Sequence, residues 1–143
     1  MFFDQLWKWL AGPRRRALPP PAVLAVMSDV GCLPAAARNL GLTFAVAPSC
    51  QRAIQTLEDV KFSIIVCDRD LPGFDWHETM EMFTTIAPGS CVILASAVND
   101  EYLWREVIQR GGYDVLKKPL QLEQATHSLG QAALYYKASA VCR

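Results

Sequence analysis

The sequence predicts an α/β fold in which five parallel strands alternate with five helices. Apolar runs of strand length recur along the chain, and helical patterns of apolar residues lie between them. The runs carry too few polar residues to face water on either side, which is typical of a parallel sheet covered by helices on both faces. A hydrophobic fraction of 52% in 143 residues is sufficient for one globular domain with a single core.

The strand-like runs are rich in small and β-branched apolar residues, and they lie at residues 22–27, 42–47, 62–67, 91–95 and 113–116. The helical patterns repeat apolar residues at helical spacing, and they lie at residues 33–40, 53–60, 76–86, 103–108 and 122–136. Gly111 and Gly112 predict the end of the fourth helix. Right-handed crossovers leave few topologies for such a sheet, and the flavodoxin-like strand order 2-1-3-4-5 is the commonest at this size.

The first 21 residues differ in composition from the rest. Residues 1–12 predict a short amphipathic helix, and residues 13–21 predict a basic, proline-rich linker. The helix has three interpretations: it packs on its own domain or on a second copy in a homodimer, it docks in a groove of another protein, or it lies on a membrane surface. The membrane surface is the least favoured, because the segment is short and its polar face is hardly basic. We expect residues 22–138 to form the main domain and residues 139–143 a tail.

Charge and cysteine usage exclude several classes of protein. The 14 basic and 14 acidic residues cancel, so no overall field favours nucleic acid as a partner. The five cysteines are widely spaced and form no Cys/His cluster, which argues against a zinc site or a disulfide framework and favours a reducing cytoplasm. Cys67 and Cys91 lie in strand-like runs and are predicted to be buried. His77 and His127 lack a partner motif and are predicted to be surface residues.

Polar side chains follow three of the predicted strands at the point where each strand ends. Asp68, Ser96 and Lys118 occupy these positions. Because the carboxyl ends of parallel strands meet at one edge of a sheet, we expect a carboxylate, a hydroxyl and an ammonium group to converge there. A carboxylate at the exit of a buried strand is costly unless its charge is used, so this edge is the candidate functional site.

Three stretches, in order on the predicted strands, resemble the signature motifs of receiver domains from two-component response regulators: residues 66–75 (VCDRDLPGFD), 93–97 (ILASA) and 116–120 (LKKPL). The resemblance covers roughly residues 22–138. It implies that Asp68 is the phosphoacceptor, that Ser96 binds the phosphoryl group and that Lys118 is its cationic partner. It also implies a cis peptide bond between Lys118 and Pro119.

The resemblance implies a bound Mg²⁺, yet the sequence departs from the family at that point. Receiver domains carry an acidic pair directly after the first strand, where this chain has Met27 and Ser28. A thioether does not replace an oxygen ligand of Mg²⁺. The remaining candidate ligands are Asp68, Asp70 and Asp29. Asp29 has an alternative role as the N-cap of the first helix, which the residues alone favour.

The predicted function is that of a stand-alone receiver, not an enzyme, that accepts phosphate from a sensor histidine kinase or a phosphotransfer protein. No output domain is expected after the fifth helix, so output is expected through contact with another protein. Tyr102 and Trp104 on the fourth helix and Val115 on the fifth strand belong to the expected contact surface. Val115 also stands where many receivers carry an aromatic switch residue. Together with Met27 and Ser28, it motivates the alternative of a pseudo-receiver, a binding scaffold that is never phosphorylated.

A third, more distant interpretation is a flavodoxin-type FMN binder with the same topology. The stretch after the first strand lacks the Ser/Thr-rich phosphate loop that such a protein requires. The chain also has no P-loop and no G-x-G-x-x-G or G-x-S-x-G motif, which argues against NTPase, dinucleotide-binding and hydrolase functions.

Overall fold

The computed structural model describes residues 21–141, in which five parallel strands alternate with five helices. The strands are β1 (Ala22–Val26), β2 (Thr43–Ala47), β3 (Ile64–Asp68), β4 (Cys91–Ser96) and β5 (Asp114–Lys117). The helices are α1 (Leu33–Asn39), α2 (Cys50–Asp59), α3 (Trp76–Ile86), α4 (Glu101–Gln109) and α5 (Leu122–Val141). The strand order in the sheet is β2-β1-β3-β4-β5, which confirms the flavodoxin-like prediction.

The register of the parallel strands sets the shape of one sheet edge. Val26 at the end of β1 lies beside Cys67, and Asp68 at the end of β3 lies beside Ala95. At the end of β4, Ser96 lies beside a residue of β5. The last residues of these strands therefore share the carboxyl edge of the sheet.

The two faces of the sheet belong to two separate parts of the core, because alternate residues of a strand point to opposite faces. On one face, strand residues such as Leu24 and Ile65 are buried in a cluster with Phe83 of α3 and other residues of α2 and α4. On the opposite face, residues such as Val23 and Ile64 are buried in a cluster with residues of α1 and α5. The sheet is thus covered on both sides, as the apolar strands predicted.

The edge strand β2 differs from the prediction that every strand is shielded from water. Its Thr43 and Val46 are exposed, and only Ala47 is fully buried. The prediction was wrong for this strand because β2 has a neighbour on one side only. Strands β1, β3 and β4 are almost completely buried, as predicted.

The helix ends correct one predicted cap. Cys32, not Asp29, is the N-cap of α1, and the following Leu-Pro pair places a proline in the first turn, where its missing N–H is not needed. Asp75 is the N-cap of α3 by position, but its side chain makes no capping hydrogen bond. Helix α4 ends before Gly111, whose φ of 90° lies in the left-handed region, so the predicted glycine stop is confirmed.

Several predictions concern residues near the two ends of the chain. The amphipathic helix at residues 1–12 and the linker at 13–21, apart from its last residue, lie outside the described residues. Helix α5 was expected to end at residue 136 but continues to Val141, so part of the stretch assigned to the tail is helical. Within residues 21–141, no helix combines the length and the apolar character needed to cross a bilayer.

Candidate functional site

Asp68 and Lys118 meet at the carboxyl edge of the sheet. The Lys118 Nζ atom donates a hydrogen bond to Asp68 Oδ1 over 2.7 Å. The side chain of Lys118 is 27% exposed and that of Asp68 is 18% exposed, so the ion pair lies in a recess that water still reaches. Lys118 Nζ also lies 3.7 Å from Asp70 Oδ2, although that carboxylate is largely exposed. The convergence of an anion and a cation predicted for this edge is therefore present in the structure.

The two oxygens of the Asp68 carboxylate have different surroundings. Oδ1 accepts from Lys118 and also from the backbone N–H of Asp70, over 3.0 Å. Within residues 21–141, no hydrogen bond reaches Oδ2. One oxygen is thus held in place by two donors, while the other keeps its lone pairs available to an incoming group.

Lys118 is positioned by the strand before it and by the backbone. Its N–H donates to the carbonyl oxygen of Ser96 over 2.8 Å, which extends the pairing of β4 and β5 by one residue. The peptide bond between Lys118 and Pro119 is cis, which confirms that prediction. The neighbouring Lys117 is exposed and makes no ion pair with the described residues, so only one of the two adjacent lysines faces Asp68.

Ser96 lies at the same edge, but its hydroxyl group makes no hydrogen bond to the side chain of Asp68 or Lys118. The side chain is fully buried, and Oγ accepts from the backbone N–H of Val98 over 3.1 Å. A second, longer contact comes from Arg69, whose Nη1 lies 3.5 Å from Ser96 Oγ. The loop after β4 therefore holds the hydroxyl in place next to a guanidinium group.

Arg69 is the residue of this site that sequence reasoning missed. It directly follows Asp68, and its side chain is half-buried at the sheet edge rather than pointing freely into solvent. The signal was available, since Arg69 is the only basic residue in the motif at 66–75. It was overlooked because the residue after the end of a strand has no fixed direction until the turn is known.

The residues that would hold the implied Mg²⁺ do not form a suitable donor set. Met27 directly follows the Val26–Cys67 pair, which places it beside Asp68, and its side chain is completely buried among apolar residues. Asp29 is exposed, and its Oδ1 accepts from the backbone N–H of Gly31. No group of three or more His, Cys, Asp or Glu side chains in residues 21–141 is arranged to hold a metal ion. Octahedral Mg²⁺ requires oxygen ligands, which a thioether does not supply.

Burial keeps the cysteine next to the site neutral. Desolvation, with smaller contributions from nearby Cys50 and Asp68, raises the pKa of Cys67 to about 12. Cys67 and Cys91 are both buried, which confirms their predicted place in the core. The thiol of Cys67 is protonated at neutral pH, so it is a poor nucleophile.

A second polar cluster joins the N-terminal end of α3 to α4. His77 bridges two carboxylates: Nδ1 lies 2.7 Å from Asp75 Oδ2, and Nε2 lies 2.8 Å from Glu106 Oε2. The hydrogen bond to His77 lowers the pKa of Asp75. The imidazole ring also stacks on Trp76, with ring centroids 3.8 Å apart. Predicted to be a surface residue, His77 is partly exposed and held by these two carboxylates, whereas His127 is exposed as predicted.

Comparison with known proteins places these features in a family. The family model described as the response regulator receiver domain matches residues 32–129. The chain is 29% identical to response regulator protein FleR of Pseudomonas aeruginosa over 96 residues, which cover 64% of this chain and 20% of FleR. It is 27% identical to chemotaxis protein CheY of Listeria monocytogenes over 81 residues, which cover 57% of this chain and 68% of CheY. The chain thus spans about a fifth of FleR.

Solved structures share the fold at low sequence identity. A CheY-like receiver domain protein of Methanospirillum hungatei superposes with a TM-score of 0.72 at 15% identity, covering 85% of this chain and 99% of that chain. Chemotaxis response regulator CheY4 of Vibrio cholerae superposes with a TM-score of 0.71 at 16% identity, covering 80% of this chain and 99% of that chain. These structures support the fold.

Proposed function

The chain belongs to the family of response regulator receiver domains, which act in two-component signalling, and we propose that Asp68 is its phosphoacceptor. The observation that supports this assignment is the contact between Lys118 Nζ and Asp68 Oδ1 over 2.7 Å. A lysine at that distance is placed to neutralise charge on a group bound to the carboxylate. Ser96 is the proposed hydroxyl donor to the phosphoryl group, and Lys118 is its cationic partner.

The proposed reaction is the transfer of a phosphoryl group from a phosphohistidine. The unpaired Oδ2 of Asp68 attacks phosphorus, and a new O–P bond forms as the P–N bond to the imidazole breaks. The electron pair of the broken bond stays on the imidazole nitrogen, and the product on the receiver is an acyl phosphate. Lys118 stabilises the negative charge that develops on the transferred oxygens.

Receiver domains interact with histidine kinases or phosphotransfer proteins, and we propose such a protein as the phosphodonor, in the cytoplasm. For output, we propose the surface formed by α4, β5 and α5. Tyr102 and Trp104 of α4 are 74% and 45% exposed, which is unusual for aromatic side chains and suits a protein contact. The chain covers only a small part of FleR, so the output of that longer protein is not carried over.

The test is incubation with acetyl phosphate across a range of Mg²⁺ concentrations that includes none, followed by intact mass measurement. The unmodified chain is expected to gain the mass of one phosphoryl group, and Asp68→Asn is expected to gain none. Glu123→Gln removes an exposed carboxylate from the first turn of α5 and should behave like the unmodified chain. Absence of an adduct from the unmodified chain at every Mg²⁺ concentration would refute the proposal and favour the pseudo-receiver, a protein-binding scaffold.

A further inference from the structure

The described residues leave one half-buried cation of the site without a counter-ion. Arg105 and Arg110 pair with glutamates on α3 and α4. Arg69, by contrast, makes no ion pair with any carboxylate in residues 21–141, and its one side-chain hydrogen bond with these residues is the 3.5 Å approach to Ser96 Oγ. A guanidinium group that is partly removed from water and unpaired favours the binding of an anion.

The position of Arg69 matches where a phosphoryl group on Asp68 would lie. Arg69 directly follows the proposed phosphoacceptor, and its backbone N–H donates to Ala95 on β4, which fixes the turn. Its guanidinium reaches Ser96, whose buried hydroxyl is the proposed donor to the same phosphoryl group. The long contact to Ser96 leaves the remaining N–H groups available, and a guanidinium can bind two phosphoryl oxygens at once.

We propose that the guanidinium of Arg69 supplies the positive charge that Mg²⁺ supplies in receiver domains generally, so that Asp68 is phosphorylated without a divalent metal. This inference rests on the proposed function of Asp68. The residue beside Asp68 at the end of β1 is the buried Met27 rather than an acid, so the site lacks the oxygen ligands for Mg²⁺.

The charges of such a site are matched. A phosphoryl group on an aspartate carries up to about two negative charges at neutral pH. Lys118, which follows β5, contributes one positive charge, and Arg69, which follows β3, contributes another. With acetyl phosphate as donor, an oxygen of Asp68 bonds to phosphorus, the P–O bond to the acetyl group breaks, and its electron pair leaves with acetate. Lys118 and Arg69 thus match the two negative charges of the bound phosphoryl group, and the third negative charge of the step leaves with acetate.

The experiment compares phosphorylation rates in EDTA and in Mg²⁺, measured by intact mass after addition of acetyl phosphate. The unmodified chain is expected to react at closely similar rates in both conditions. Arg69→Ala and Arg69→Gln are expected to lose about tenfold or more of the rate in EDTA, as for the loss of one positioned donor to developing charge. Arg69→Lys keeps the positive charge but lacks the planar set of N–H donors of a guanidinium. It should therefore keep part of the phosphorylation rate in EDTA.

Arg38→Ala is the matched control, since it removes an exposed arginine from the last turn of α1. It should leave both rates unchanged. Circular dichroism and thermal unfolding of each variant show whether it is folded, and Arg69→Gln, which retains a long polar side chain, serves if Arg69→Ala does not fold.

Three results would overturn the inference. Phosphorylation of the unmodified chain only in Mg²⁺ would refute it and leave the role of Asp68 intact. Equal rates in EDTA for the unmodified chain and for folded Arg69→Gln would refute it in the same way. Absence of any adduct in both conditions would refute the inference together with the proposed function.

Discussion

The ion pair between Asp68 and Lys118 should appear in solution as a measurable coupling energy. At the observed N–O distance of 2.7 Å, the Coulomb attraction is about 1.5 kcal/mol at the dielectric constant of water and about 6 kcal/mol at an effective value of ~20. Solvent reaches both side chains, and fixing a lysine costs conformational entropy, so the net coupling lies near the lower figure. We expect about 1–2 kcal/mol, which is the range of hydrogen bonds to charged groups.

The assay is a double-mutant cycle. The free energy of unfolding is measured by urea denaturation for the unmodified chain, for Asp68→Asn, for Lys118→Met and for the double variant. The control cycle replaces Lys118→Met with Lys117→Met, which removes the adjacent but exposed lysine. The control should show no coupling to Asp68→Asn, because Lys117 makes no contact with the carboxylate.

A coupling energy below ~0.5 kcal/mol would refute the reasoning, because substitutions at independent sites are additive to within that value. That result would mean that the contact contributes nothing in solution and that Lys118 is not held against the Asp68 carboxylate. Equal coupling energies for Lys117 and Lys118 would also refute the reasoning, because the effect would then come from any nearby positive charge and not from the contact with Asp68. The cycle measures the interaction energy of the two side chains and needs no phosphodonor.

Three further predictions concern stability. Phe83→Ala removes a fully buried ring, and we expect urea denaturation to show a loss of about 3–5 kcal/mol. Gly112→Ala would place Cβ 2.4 Å from Val107 Cγ1, so we expect thermal unfolding to show a destabilisation of about 1–3 kcal/mol from overpacking. Because the bond to His77 lowers the pKa of Asp75, the unfolded chain binds this proton more readily, and stability is lost as the pH falls through the folded pKa. Urea denaturation of Asp75→Asn across acidic pH should therefore show a shallower loss than the unmodified chain; an unchanged slope would contradict the bridge.

The fold was predictable because its information is local and repeated. Each strand run and each helical pattern is visible in the sequence, and the strand order follows from the few topologies that right-handed crossovers allow. The exposure of β2 was not predictable in the same way. Whether Val46 faces water depends on which strand ends at the edge of the sheet, and that is a property of the assembled topology.

The residues of the site also differ in whether the sequence predicts their positions. Asp68 and Lys118 could be placed together because both lie at the ends of buried strands, which fixes their positions to within a residue. Arg69 and His77 could not, because each reaches its partner through a turn or across two helices. Their partners, Ser96 and Glu106, are far away in the sequence, and no local pattern joins them.

The unequal lengths of the two helices on one face of the sheet have a consequence for folding during translation. One whole face of the sheet is shielded by α1, with only seven residues, and by α5, with twenty. Since α5 is the last element of the domain to leave the ribosome, that face is covered only by the short α1 in the nascent chain after all five strands have been made. The domain cannot complete its folding during translation until Leu122–Val141 has emerged, and until then its uncovered apolar surface favours aggregation.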